Sequence, residues 1–320
     1  MDKIKKNIII SLIVTAIIFL AFSIYADFDS ILISLEKFNW FLLPILLVLT
    51  CLNLFLRFLK WEYYLKLLKL PIQKKDSIGI FMASLSLGLT PGKMGDLIKS
   101  YMLHSIEGHS ASKTIPIIFA ERITDMISLV LIALLGVFIF DYGRVEVIVL
   151  ILFFSFLLTV ISNRKLSIKI INYLEKVKIF SKYLSKIHNI YENTYVMLKP
   201  KPLIEMTILT LFAWIIECFG FYLILSNFNT QISMFWSTFV YALSIIIGAV
   251  SMLPAGIGAT EGSLLYMLVE YGIPKDLAVV STFLIRLVTL WFSIILGLIA
   301  MIFYNKRYGE KITFNLKQGE

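Results

Sequence analysis

Two stretches of this 320-residue chain, Leu89 to Gly136 and Leu253 to Gly297, repeat one pattern in which a Pro/Gly break and charged side chains interrupt sequence apolar enough for a bilayer. The first reads LTPGKMGDLIKSYML and then ERITD; the second reads LPAGIGATEGSLLYML and then LIRLV. Asp96 stands five residues before Tyr101 and Glu261 five before Tyr266, while Arg122 and Arg286 each open a long apolar helix a similar distance downstream. Backbone that leaves a helix at membrane depth must be buried in protein or line a wet cavity, because lipid offers its N–H and C=O groups no partner. The pattern therefore describes a duplicated polar site rather than a duplicated anchor.

The solvent follows from composition. With 59% hydrophobic and 14% aromatic residues and a mean hydropathy of +0.86, the chain lies outside the range of water-soluble domains. Runs able to cross a hydrocarbon core of about 30 Å fall at 8–25, 41–59, 126–140, 147–161, 203–226, 234–252 and 278–303. Two of these, 126–140 and 147–161, reach a full span only by borrowing flanking residues, and for the first this draws Glu121, Arg122 and Asp125 into the bilayer. Its helix is expected to start near Ser112. The N-terminal run follows Lys3, Lys5 and Lys6 but is too long, and lacks the small-residue cleavage site, of a secretory signal. Cys51 and Cys218 give neither a disulfide framework nor a metal spacing, and the scattered His104, His109 and His188 read as surface or interface residues. No cofactor or metal is expected.

Orientation follows from the basic residues, which favour the cytoplasmic side of short loops. Lys3, Lys5 and Lys6, the 59–77 loop with Lys60, Lys66, Lys69, Lys74 and Lys75, nine residues of the 162–202 segment, and Lys306, Arg307, Lys311 and Lys317 all read as inside. The loops at 26–39, 141–146, 227–233 and 272–277 hold only Lys37, Arg144 and Lys275 and read as outside. With both termini in, parity requires two hairpins. Segments 78–90 and 94–106 dip in from the cytoplasm, while 234–252 descends from the outer face, turns at Pro254 to Gly258 and climbs back near 260–271. The expected fold is thus an all-α integral membrane protein with an inverted-topology repeat and two re-entrant, broken helical hairpins, N-in and C-in. It forms one polytopic domain over 1–320, with repeat one about 8–140 and repeat two about 147–303. Such repeats are the architecture of secondary transporters, whose broken helices meet near the midplane.

The ionisable residues left at depth are Arg57, Lys93, Lys99, Arg122 and Arg286 against Asp96, Glu121, Asp125, Glu217 and Glu261. Each charge at a helix centre costs about 2.5–3.5 kcal/mol on insertion scales, so they must pair or face water. Lys99 and Arg57 are the ones best placed to snorkel to the interface. Arg122 and Arg286 offer planar forks suited to phosphate or carboxylate, and Arg57 and Lys93 add positive charge. The five acids can hold these cations, receive a cationic substrate moiety, or carry a coupling proton; a purely structural staple by Glu121, Arg122 and Asp125 is the competing account. The backbone breaks are Pro91, Gly92, Gly95, Pro254, Gly256 and Gly258.

TPGKMGD at 90–96, ERITD at 121–125, LPAGIGATEG at 253–262 and the group Arg57, Lys60, Trp61 together resemble the flippase-like integral-membrane domain of the lysyl-phosphatidylglycerol synthase family, which also occurs free-standing. The resemblance implies movement of charged or glycosylated lipids between leaflets of the plasma membrane. Lys93 and Asp96 stand where that family often has Arg and Glu, which shortens reach in the first hairpin. The chain ends at Glu320 without the synthase's soluble domain, so no synthase activity is expected.

Neither GxSxG, HExxH, a Walker A loop nor a dinucleotide fingerprint occurs. Segment 162–202 carries nine basic residues against Glu175 and Glu192, a local charge of +7, with apolar positions at helical spacing. That is a basic amphipathic helix suited to anionic lipid rather than nucleic acid. The expected function is a lipid translocase, not an enzyme, with membrane lipids of anionic head group as partners. The alternatives are a membrane-embedded transferase acting on polyprenyl-phosphate sugars and a noncatalytic partner of a separate lipid-modifying enzyme. A small-solute or ion transporter would share the inverted architecture.

Overall fold

The computed structural model describes residues 2–90, 94–140, 144–165, 167–169 and 184–318, and among them every regular element is helical. In chain order these are α1 (Asp2–Ala26), α2 (Phe28–Lys37), α3 (Leu42–Leu67), α4 (Lys74–Ser84), α5 (Leu97–Glu107), α6 (Ala111–Phe140), α7 (Arg144–Ser162), α8 (Leu184–Met197), α9 (Pro200–Asn227), α10 (Met234–Val250), α11 (Ala259–Glu270), α12 (Lys275–Arg286) and α13 (Phe292–Gln318). A 3-10 turn, Leu85–Leu87, extends α4; another, Met94–Asp96, leads into α5. A π-helical turn, Leu287–Trp291, joins α12 to α13. Among the described residues three segments, α3, α9 and Lys275–Tyr304, are long and apolar enough to cross a membrane, and the bent α1–α2 pair meets the same criteria taken together. α6 equals the longest of them at 30 residues but carries Glu121, Arg122 and Asp125 inside it. Large side chains such as Phe41, Ile24, Phe156 and Leu152 point outward, an apolar surface that only hydrocarbon or another protein would cover.

The packing is layered along the helix axes. At one end Leu46 of α3, Leu129 to Val137 of α6 and Trp214 to Leu225 of α9 join a core that also contains the arms of α10 and α11. At the other, Trp61 to Leu65 of α3, Ile117 to Ile123 of α6 and Met206 of α9 join the arms of α4 and α5. Leu46 and Leu65 lie about 28 Å apart along one helix, so the two cores occupy opposite ends of the same long helices. The α4–α5 hairpin packs in one core and the α10–α11 hairpin in the other. Their ends meet in a small third cluster, where Leu89 and Ile257 join Ile294 of α13.

Two glycines allow the long helices to approach the hairpins. A side chain at Gly136 of α6 would collide with Phe239 of α10, and one at Gly297 of α13 would collide with the backbone of Leu85 and Ser86. Each hairpin thus leans on the long helix of the other half of the sequence.

Three expectations are corrected. Segment 26–39 is not a loop: α2 follows α1 after a bend of 98°. Asp27 accepts the Ser30 N–H at 3.2 Å and so caps the new helix, while the buried Ser34 hydroxyl donates to Asp276 at 2.5 Å. The 59–77 segment is helical as far as Leu67, and Lys60, counted there as a loop residue, is buried with its ammonium bonded on four sides. Lys99 does not snorkel, since it is buried against Glu121. In contrast, α6 begins at Ala111, one residue from the expected start. Of the basic 162–202 segment, residues 166 and 170–183 lie outside the described residues; α8, in its second half, packs through Tyr191, Thr194 and Met197.

Candidate functional site

Between the two cores the same helices turn polar. α3 presents Thr50, Asn53, Arg57 and Lys60 at successive turns, α6 presents Glu121, Arg122 and Asp125, and α9 presents Trp214 and Glu217. These side chains line one cavity of about 430 Å³. Asp96 and Lys99 reach it from the first hairpin, Gly256 from the second, and Arg286, Thr289 and Ser293 from the α12–α13 helix. Of the residues singled out from sequence, Arg57, Asp96, Glu121, Arg122, Asp125, Glu217 and Arg286 therefore share one space. Glu261 stands directly behind Arg286, whereas Pro91, Gly92 and Lys93 lie outside the described residues.

On the first-hairpin side the charges form a chain. Asp125 accepts from Lys60 Nζ at 2.7 Å, Arg57 Nη1 at 3.2 Å and Arg122 Nη1 at 3.4 Å. Arg122 Nη2 continues to Asp96 at 2.8 Å, and Lys99 Nζ holds Glu121 at 2.9 Å while lying over the rings of Trp61 and Phe81. Asn53 fixes the geometry: its amide donates to the Ala213 carbonyl at 2.7 Å and its carbonyl accepts Arg57 Nε at 2.9 Å. Arg57 then stacks on the Trp214 ring, 4.7 Å from its centroid. A cation–π contact of this kind contributes about 0.5–2 kcal/mol.

The second hairpin uses the same chemistry more tightly. Arg286 Nε donates to Glu261 at 2.6 Å and Nη2 to the Ala255 carbonyl at 2.8 Å. The other carboxylate oxygen of Glu261 accepts the Gly258 N–H at 2.7 Å, so this acid caps α11 and pairs with Arg286 at once. The loop it closes is bent: Met252 and Ala255 have φ of 55° and 52°, Gly256 and Gly258 of 67° and 89°. Left-handed backbone at non-glycine positions costs about 1–3 kcal/mol each, and the bond from Arg286 to Ala255 helps hold it. Gly95, grouped with these breaks, is needed instead for close approach, since a Cβ there would strike Leu87 and Thr90.

Several neighbours of these charges were not singled out from sequence. Thr124 and Thr210 bond Lys60 at 3.1 and 2.9 Å, Tyr241 donates to Glu217 at 2.7 Å, and Thr50 ties α3 to the π turn through Val288 O at 3.0 Å. Thr124 lies inside the ERITD box, and the signal of the others is a hydroxyl in a largely apolar stretch. Among the described residues two buried donors at the cavity wall, Arg122 Nε and Trp214 Nε1, have no partner, and no group of three metal-ligating side chains occurs. The remaining lining is apolar, from Leu85, Met126 and Phe154 to Ile245, Val250, Met252, Leu253 and Leu290.

Comparison with known proteins matches residues 8–297 to the family described as lysylphosphatidylglycerol synthase TM region. Relatives include a UPF0104 membrane protein of Pyrococcus horikoshii, 26% identical over 92% of this chain and 95% of its own. One from Methanocaldococcus jannaschii is 24% identical over 97% and 98%, and one from Methanothermobacter thermautotrophicus is 23% identical over 79% and 82%.

Proposed function

From its membership of the lysylphosphatidylglycerol synthase TM region family, and from the cavity between its hairpins, we propose that this membrane protein is a lipid translocase rather than an enzyme. The observation that carries the proposal is that one cavity is lined by charged side chains, among them Arg57, Arg122 and Asp125, and by apolar ones, among them Met252, Leu253 and Leu290 at the hairpin ends. A lipid combines the same two characters. The phosphate of the head group goes to the Arg122 fork, whose side chain keeps 27% of its surface exposed and whose Nε lacks a partner among the described residues. The tails stay against the apolar lining and the surrounding hydrocarbon.

The proposal includes an inverted-topology, multi-pass arrangement in the plasma membrane, with α4–α5 entering from the cytoplasm and α10–α11 from the outer face. What supports it is the placement of the two hairpins in opposite cores with their ends in contact, together with the reciprocal close approaches at Gly136 and Gly297. Alternating exposure then needs only that one hairpin move away from the shared cavity while the other stays. The test is reconstitution into vesicles with acyl-chain-labelled phospholipid, following leaflet exchange in the wild type and in Arg122→Ala. A loss of tenfold or more in the variant is expected; unchanged exchange overturns the proposal.

A further inference from the structure

Among the described residues the charges around the cavity do not cancel locally. On the first-hairpin side the described Arg57, Lys60, Lys99 and Arg122 face Asp96, Glu121 and Asp125, and each takes part in an ion pair. Arg286 and Glu261 neutralise each other. Glu217 is left over. Its carboxylate lines the cavity and accepts the Tyr241 hydroxyl at 2.7 Å, and among the described residues no Lys or Arg pairs with it. An ionised group held in this way at membrane depth costs about 2.5–3.5 kcal/mol unless a counter-charge arrives.

Resting on the translocase reading, we propose that Glu217 is the cation subsite of the head-group site, so that the lipid carried is zwitterionic, with a phosphate and a primary ammonium. Glu217 lies three residues beyond Trp214 on α9, on the same helix face, and the Arg57 guanidinium sits on the Trp214 ring. Arg57 shares Asp125 with Arg122, the fork that takes the phosphate, and these cations line the same cavity as Glu217, which suits a phosphate and an amine on one head group. A purely anionic head group would set a second negative charge beside Glu217. A neutral, hydroxyl-rich one would leave its charge uncompensated. The ammonium supplies what the cavity lacks, and the Tyr241 bond fixes the carboxylate that receives it.

The experiment uses the full chain in vesicles, with acyl-chain-labelled phosphatidylethanolamine and phosphatidylglycerol and dithionite bleaching of the outer leaflet. The wild type is expected to exchange phosphatidylethanolamine at least fivefold faster than phosphatidylglycerol. In Glu217→Gln, which keeps an acceptor for Tyr241, that ratio is expected to fall to about one. N-acetylated phosphatidylethanolamine, which removes the charge from the ligand instead of the protein, is expected to exchange in the wild type as slowly as phosphatidylglycerol and keeps the test valid should the variant fold poorly. A ratio unchanged by Glu217→Gln and by N-acetylation, with exchange itself intact, overturns the subsite alone. Absence of exchange for both lipids in the wild type overturns the translocase reading and the subsite with it.

Discussion

At the second hairpin Arg286 has 6% of its side chain exposed and commits two donors, one to a carboxylate with 2% exposure and one to a backbone carbonyl. At the first, Arg122 joins two carboxylates but leaves 27% of its side chain open, and its partner Asp96 15%. The sequence places these two Arg–acid pairs in equivalent positions, so the difference lies in what surrounds them. Around Arg286 the loop is closed by the Glu261 cap and by the contact of Gly248 and Gly256 with Thr260. Around Arg122 the charges continue through Asp125 into Arg57 and Lys60 and face open space. One pair holds a bent loop together; the other is accessible to a ligand.

The comparison predicts separable losses. Glu261→Ala leaves the buried Arg286 guanidinium without its carboxylate and removes the α11 cap, so unfolding in detergent should show a loss of about 3–5 kcal/mol; a change under about 1 kcal/mol would erase the distinction between the hairpins. Gly248→Ala forces a methyl onto Thr260 and should cost about 1–3 kcal/mol by the same assay. Arg122→Ala leaves Asp125 bonded to both Arg57 and Lys60, so its cost in stability should be about 1 kcal/mol or less even as exchange falls. A stability loss as large as that of Glu261→Ala would make Arg122 a structural staple as well.

Much of this is legible in the amino-acid sequence because Pro, Gly and charge are costly inside apolar runs, and so stand out. The broken hairpins, the start of α6 and the acids and arginines of the cavity are all read in this way. The misses have one cause, which is that partners distant in sequence override local composition. FDSILISLEK looks like a polar loop until Ser34 finds Asp276 and Ile31 is buried. Lys60 looks like a cytoplasmic lysine until Asp125 and Thr210, on two other helices, are brought to it. A count of basic residues cannot distinguish a lysine that marks orientation from one that is buried in a network.

The account depends most on the two hairpins entering from opposite faces toward one cavity. The direct measurement is impermeant-maleimide labelling of intact cells, in a Cys51→Ser, Cys218→Ala background, at Lys74→Cys and Gln231→Cys. These exposed positions begin α4 and precede α10. Labelling at 231 from outside, with 74 reacting only after the membrane is permeabilised, is the predicted result. Equal reactivity of both positions from the outer face would contradict it.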